Sequence, residues 1–266
     1  MRKQVRLIDL PDALINAHAV ELAPFSVALV RVTRCAAQLI GSGTLVRHRD
    51  THGILTARHV AEQLHSGPEV GIVLHKSAHR FSIEARHLDL ILSATGATEQ
   101  AGPDIAFVRL PDANLGTIKA VRSFVNLEHH KKKMESRARE RGPWCIFGFP
   151  EEKASMRTAP FCVFGQCGVA PAPQCYVIEG AFDYYWVPAV YSSTNALPES
   201  YGGVSGGGLW QTEVLEERGE FRIIDYLLRG VAFYQTARDG DSCFIKCHGD
   251  ASIYSWLVSE IESKYS

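Results

Sequence analysis

Along most of the chain, apolar residues alternate with polar ones in short runs. A period of two predicts β-strands rather than helices. The run FSVALVRVT (25–33) is rich in β-branched residues. GTLVRHR (43–49), THGILTARHV (51–60), EVGIVLH (69–75), RFSIEARHLDLILS (80–93) and DIAFVRL (104–110) continue the series. The rhythm returns after Pro143 with WCIFGFP (144–150), APFCVFGQCGVA (159–170), QCYVIEGAF (174–182) and YYWVPAV (184–190). LWQTEVL (209–215) and EFRIIDYLLRGVAFYQT (220–236) follow. Short strands at near-regular spacing, broken by turn residues, predict a sandwich or barrel.

Three stretches depart from that period. Residues 1–24 read as an N-terminal arm, with a short helix over Asp9–Ala19 that Pro24 stops. Residues 127–142, LEHHKKKMESRARERG, carry six Lys or Arg, three Glu and two His. They predict a solvated linker or surface helix between two strand sets, 25–126 and 143–266. The tail GDASIYSWLVSEIESKYS switches to a helical period. Ile253, Trp256, Leu257 and Ile261 share one face there, and Asp250 or Ser252 can cap the start.

Composition narrows the function classes. The 266 residues are 46% hydrophobic with a net charge of −1. That supports a full core and provides no field to draw the chain to nucleic acid or a membrane. No run approaches the ~18 apolar residues of a membrane span, and the start lacks the apolar core of a signal peptide. Seven cysteines, an odd count, predict reduced thiols and a cytoplasmic setting. Cys162-x4-Cys167 and Cys243-x3-Cys247-His248 could meet as a zinc site, but the spacing is loose and buried thiols are common in cores. No metal and no cofactor is expected.

Candidate chemistry centres on Tyr201–Trp210, YGGVSGGGLW. Glycines on both sides of Ser205 allow a sharp turn on which a nucleophile and converging N–H groups can sit. A serine hydroxyl needs a base, and His59 follows the apolar run ILT in GILTARHV. A base needs an orienting carboxylate, and Asp104 stands just before the apolar run IAFV. Burying that acid is costly unless it is paired.

These stretches resemble the trypsin-like, chymotrypsin-fold serine peptidases. GSGTLV with ILTARHV is similar to the family's histidine motif, DIAFVRL to its aspartate motif and GVSGGGLW to its serine motif, in the order His, Asp, Ser. The likeness spans about residues 27–260, and its tone is that of bacterial-type, intracellular members. It implies an all-β fold of two packed six-stranded antiparallel β-barrels with a C-terminal helix. It implies a serine endopeptidase in which Ser205 is the nucleophile, His59 the base and Asp104 the orienter. The oxyanion hole would be the N–H groups of Gly203 and Ser205. An extended peptide would pair with the main chain of Phe233, Tyr234 and Gln235. The position six before the nucleophile is Glu199, which as a pocket floor would favour a substrate Arg or Lys.

Two departures qualify that expectation. Val204 stands where zymogen-activated members carry an acid, so activation by a new N-terminus should not operate. The many glycines leave the serine loop soft, so its oxyanion hole is not expected to be preformed and a partner could gate it. The partners implied are a protein or peptide substrate and an acidic docking protein at Lys131, Lys132 and Lys133. The alternatives are a catalytically silent or gated binding module and a serine esterase.

Overall fold

The period of two sorts side chains onto the two faces of strands. In the computed structural model these strands pair into two antiparallel sheets. The structure describes residues 12–32, 37–74, 80–98, 100–136, 142–153, 166–170, 173–190, 200–217 and 220–265. The first sheet holds β1 (Ser26–Val32), β2 (Ala37–His48), β3 (Thr51–Thr56), β4 (Glu69–Leu74), β5 (Arg80–Glu84), β6 (Asp89–Leu92) and β7 (Ala106–Arg109). They run in the order β5-β4-β1-β2-β3-β7-β6, and the two-residue β8 (Val125–Asn126) pairs with β2 in parallel. The second sheet holds β9 (Trp144–Gly148), β10 (Gln166–Ala170), β11 (Cys175–Glu179), β12 (Phe182–Val190), β13 (Gly208–Glu217), β14 (Glu220–Gln235) and β15 (Ser242–His248). Their order is β10-β9-β13-β14-β15-β12-β11. Each path carries seven strands, one more than the six expected per barrel.

Connectivity shows that both sheets curl. β5 and β6 lie at opposite ends of the first path, yet only Ala85–Leu88 separates them. Those few residues span at most ~18 Å, whereas the ends of a flat seven-strand sheet would stand ~29 Å apart. β10 and β11 stand in the same relation in the second sheet, four residues apart in the chain. The fold is therefore two curled antiparallel β-barrels packed together, as the resemblance implied. The expected single strand over 80–93 is split, because its halves serve opposite edges and Ala85–His87 form a 3-10 turn between them.

One core joins the sheets. Phe25, Val30, Val46 and Phe107 of the first half pack with Phe147, Trp210, Leu228 and Val231 of the second. Trp210 is fully buried against Phe25 and Tyr226, with ring centroids 5.7 and 5.9 Å away. Burying side chains of this size contributes roughly 1.5–3 kcal/mol each.

Helices close the molecule. α1 (Asp12–Leu22) replaces the helix expected over Asp9–Ala19, and residues 9–11 lie outside the described residues. Its His18 is buried, with Nε2 2.8 Å from the Thr212 hydroxyl on the second sheet. α2 (Arg58–Leu64) begins just past the strand that holds ILT, at the end of the run 51–60. α3 (Asp112–Lys119) had no counterpart in the sequence reading. α4 (Leu127–Glu135) forms within the charged stretch and is more than a solvated face. Leu127 and His130 are buried, the Leu228 N–H donates to His130 Nδ1 at 3.2 Å, and Lys133 pairs with Asp225 at 2.8 Å.

The tail forms wide π-type turns over Ser252–Leu257 and then α5 (Val258–Tyr265). Ile253, Leu257 and Ile261 are buried as the period predicts. The cap comes from elsewhere: Asp183 on β12 accepts from the N–H groups of Ala251 and Ser252 at 3.0 and 2.7 Å. Asp250 is instead engaged by Arg229 and the Tyr185 hydroxyl.

Candidate active site

His59 sits in the first turn of α2, and the residue before that helix, Ala57, has no side chain able to cap it. Asp104, just ahead of β7, supplies the cap. Its Oδ1 accepts from the His59 N–H at 3.0 Å, and its Oδ2 lies 2.6 Å from His59 Nδ1. A carboxylate only accepts, so the imidazole proton lies on Nδ1 and Nε2 carries the lone pair of a base. The Asp104 side chain is 13% exposed and that of His59 44%, so the pair is dry on one side and open on the other. Burial works to raise the Asp104 pKa. The hydrogen bonds and charge of His59 outweigh it and hold the acid below the usual carboxylate range.

Two residues of β15 hold Asp104 in turn, and the sequence reading gave neither a role there. The Asp104 N–H donates to His248 Nε2 at 2.8 Å. His248 is fully buried, and burial pushes its pKa down to about 3, so it is neutral. With Nε2 accepting, the proton is on Nδ1, 3.1 Å from the Ser252 hydroxyl. Ser252 Oγ donates to Asp183 Oδ1 at 2.8 Å, linking Asp104 to the cap of the C-terminal helix. Lys246 donates to the carbonyls of Gln100 and Ala101 at 2.9 and 3.0 Å, pinning the segment that leads into Asp104. The only sequence signal for His248 was its place after Cys247 in the loose zinc spacing. Both ring nitrogens are committed to this network, and no group of three metal-ligating side chains lies together among the described residues. Cys162 lies outside the described residues.

Ser205 sits on a turn between Tyr201 and β13 that outside contacts hold firmly. The Glu151 N–H donates to the Gly202 carbonyl at 2.8 Å. The Ser42 hydroxyl donates to the Gly203 carbonyl at 2.6 Å, and the Ser42 N–H to the Ser205 carbonyl at 2.8 Å. The Gly206 N–H donates to the Ala232 carbonyl at 2.7 Å. These bonds engage backbone groups on both sides of Ser205. The glycines serve geometry: Gly203 and Gly206 have φ of +83° and +90°. A Cβ on Gly206 would lie 2.0 Å from the Ser42 carbonyl oxygen. Among the described residues, the N–H groups of Gly203 and Ser205 donate to no protein acceptor. The Ser205 hydroxyl donates to the Phe233 carbonyl at 3.3 Å. Val204 packs into the apolar cluster of the second sheet.

The substrate edge is expected along the backbone of Phe233–Gln235. β14 lies beside β13 only as far as Val231, and Phe233–Gln235 have no strand on that side among the described residues. The side chains are engaged elsewhere or only half-buried. Phe233 is 3% exposed and packs on His248 and Tyr184, so it offers only its main chain. Gln235 is turned inward, its Oε1 accepting from the Tyr201 N–H at 2.9 Å. Tyr234 is half-buried. Glu199, the expected pocket floor, lies outside the described residues. Lys131 and Lys132 are exposed on α4, whereas Lys133 is engaged by Asp225.

No protein-family model matches the chain, and no curated protein matches it in sequence. Among solved structures, it is similar to the crystal structure of the Drosophila Grass clip serine protease of the Toll pathway. That likeness covers 91% of this chain and 69% of the other, with a TM-score of 0.56 and 14% sequence identity. At that identity it concerns architecture alone: the chain has the two-barrel, chymotrypsin-like fold seen in that serine protease.

Proposed function

We propose that this chain is a serine endopeptidase. The observation that carries the reading is the His59–Asp104 pair, in which one carboxylate holds both the ring Nδ1–H and the backbone N–H of the same histidine. An imidazole fixed in that tautomer takes a proton at Nε2. Ser205 Oγ would attack the substrate carbonyl carbon while its proton passes to His59. The carbonyl oxygen would take the negative charge, facing the N–H groups of Gly203 and Ser205. His59 would return the proton to the leaving amine. Water, deprotonated by the same nitrogen, would then release the acyl group from Ser205.

The substrate is an extended peptide paired with the main chain of Phe233–Gln235. A preference for Arg or Lys through Glu199 belongs to the same proposal. So does an intracellular, bacterial-type setting. Among the described residues, no helix is long and apolar enough to cross a membrane.

The test is digestion of a proteome-derived peptide library, with Ser205→Ala as control. Cleavage by the native chain and none by the variant is the expected result, and cleavage by both would remove Ser205 from the reaction. Glu199→Gln should reduce cleavage after Arg and Lys relative to Leu. A second reading, a gated or silent binding module, is favoured by the bond from the Ser205 hydroxyl to the Phe233 carbonyl, which must break before attack. A native chain that binds peptides and cleaves none would favour it.

A further inference from the structure

The motif GSGT contains a serine for which the reaction above has no use. Ser42, midway along β2, is fully buried and makes four hydrogen bonds. Its N–H donates to the Ser205 carbonyl at 2.8 Å, and its hydroxyl donates to the Gly203 carbonyl at 2.6 Å. The hydroxyl accepts from the Phe149 N–H at 2.8 Å, and its own carbonyl accepts from the Thr56 hydroxyl at 2.7 Å. One residue of the first sheet thus grips the carbonyls of both residues whose N–H groups face the reacting oxygen in the proposed mechanism. Its own position is fixed from both sides, by Phe149 of the second half and Thr56 at the end of β3.

We propose that Ser42 is a positioning residue that sets the two oxyanion donors, through its grip on the Gly203 and Ser205 carbonyls. The reason lies in the turn itself. Gly203 has no side chain to restrict it, and its neighbours are glycine and a small apolar residue. A donor pair stabilises a developing oxyanion only if it is oriented before the charge appears. Without the Ser42 hydroxyl, the Gly203 carbonyl loses its donor and the Phe149 N–H its acceptor. The Gly203–Val204 peptide then keeps only the bond from the Val204 N–H to the Tyr201 carbonyl, at 2.9 Å, and a tilt of that peptide acts through the Gly203 Cα on the neighbouring Gly202–Gly203 peptide, which bears the Gly203 N–H. The loss falls on the transition state, because the ground-state carbonyl of a substrate is held by the strand edge and not by this pair.

The proposal rests on the assignment of Gly203 and Ser205 as oxyanion donors, and the experiment separates the two. Full-length native protein, Ser42→Ala, Ser42→Cys and Ser205→Ala are titrated with a fluorophosphonate. Peptide cleavage is then measured per labelled site. Normalising to labelled sites removes any fraction that does not fold. Ser42→Ala should lower kcat by about 10- to 100-fold with KM within about threefold, somewhat less than deletion of a donor itself. Ser42→Cys, a weaker donor of similar size, should fall between. If Ser42→Ala does not fold, Ser42→Cys carries the test alone. Native kcat per site in the folded variants, or a change confined to KM, would overturn the role of Ser42 while leaving the peptidase reading intact. Failure of the native chain to label at Ser205 would instead overturn the peptidase reading, and this proposal with it.

Discussion

Asp104 does three jobs with one carboxylate: it caps α2, orients the His59 ring, and fills a half-buried site with its charge paired. Its pairing was readable from the sequence, because an acid next to an apolar run must find a partner. Its role as a helix cap was not, because the helix it caps begins 45 residues earlier. Asp104→Asn should lower kcat by ~10⁴ by favouring the wrong ring tautomer while leaving the fold intact. Measurement of kcat beside a denaturation curve checks this. A loss of less than ~10-fold would show that His59 does not need the carboxylate.

His248 makes a pH prediction. Its ordinary value near 6.5 falls to about 3 in the fold. Between those values the unfolded chain binds a proton that the folded chain refuses, so stability is complete above about 6.5 and declines as pH falls, by up to ~1.4 kcal/mol per pH unit from this group. His18, lowered by burial, acts in the same direction. Urea denaturation at pH 7 and pH 4.5 should show a smaller difference for His248→Gln than for the native chain. Equal differences would mean that His248 is not held neutral.

At the scale of elements, the strands were legible because alternation needs only near neighbours. The splits were not. Whether 80–93 is one strand or two depends on closing a sheet whose ends meet there. The same holds for the tail. Its apolar face at Ile253, Leu257 and Ile261 follows from period alone, but its cap, Asp183, lies some seventy residues upstream. Asp183→Ala should cost roughly 1–3 kcal/mol, since two N–H groups and the Ser252 hydroxyl lose a buried acceptor. Urea denaturation reads it, and a cost below ~0.5 kcal/mol would contradict the capping role.

For α4 the structure separates the lysines by task. Lys133 ties the helix to Asp225, while Lys131 and Lys132 stand exposed. Reversing both exposed charges should reduce retention on a polyanion column without moving the denaturation midpoint. Unchanged retention would leave α4 a structural helix only.

At the scale of the whole molecule, the proposed site draws on both barrels. His59 on α2 and Asp104 ahead of β7 belong to the first half, and Ser205 lies on the turn before β13 in the second, while Ser42 and the shared core around Trp210 hold the halves together. The two-barrel architecture was visible through three motifs in order; contacts that register one barrel on the other, such as that of Ser42 with Phe149, were not, because they join residues more than a hundred positions apart. Trp210→Ala should cost about 3–5 kcal/mol by opening a cavity at that junction. The measurement that tests the central claim most directly is labelling of full-length protein by a fluorophosphonate, with the modified residue located by mass spectrometry. The account predicts one label per chain, on Ser205. Labelling should be lost in Ser205→Ala and slowed by ~10⁴ or more in His59→Ala. No label on the native chain, or equal labelling of the His59→Ala variant, would contradict it.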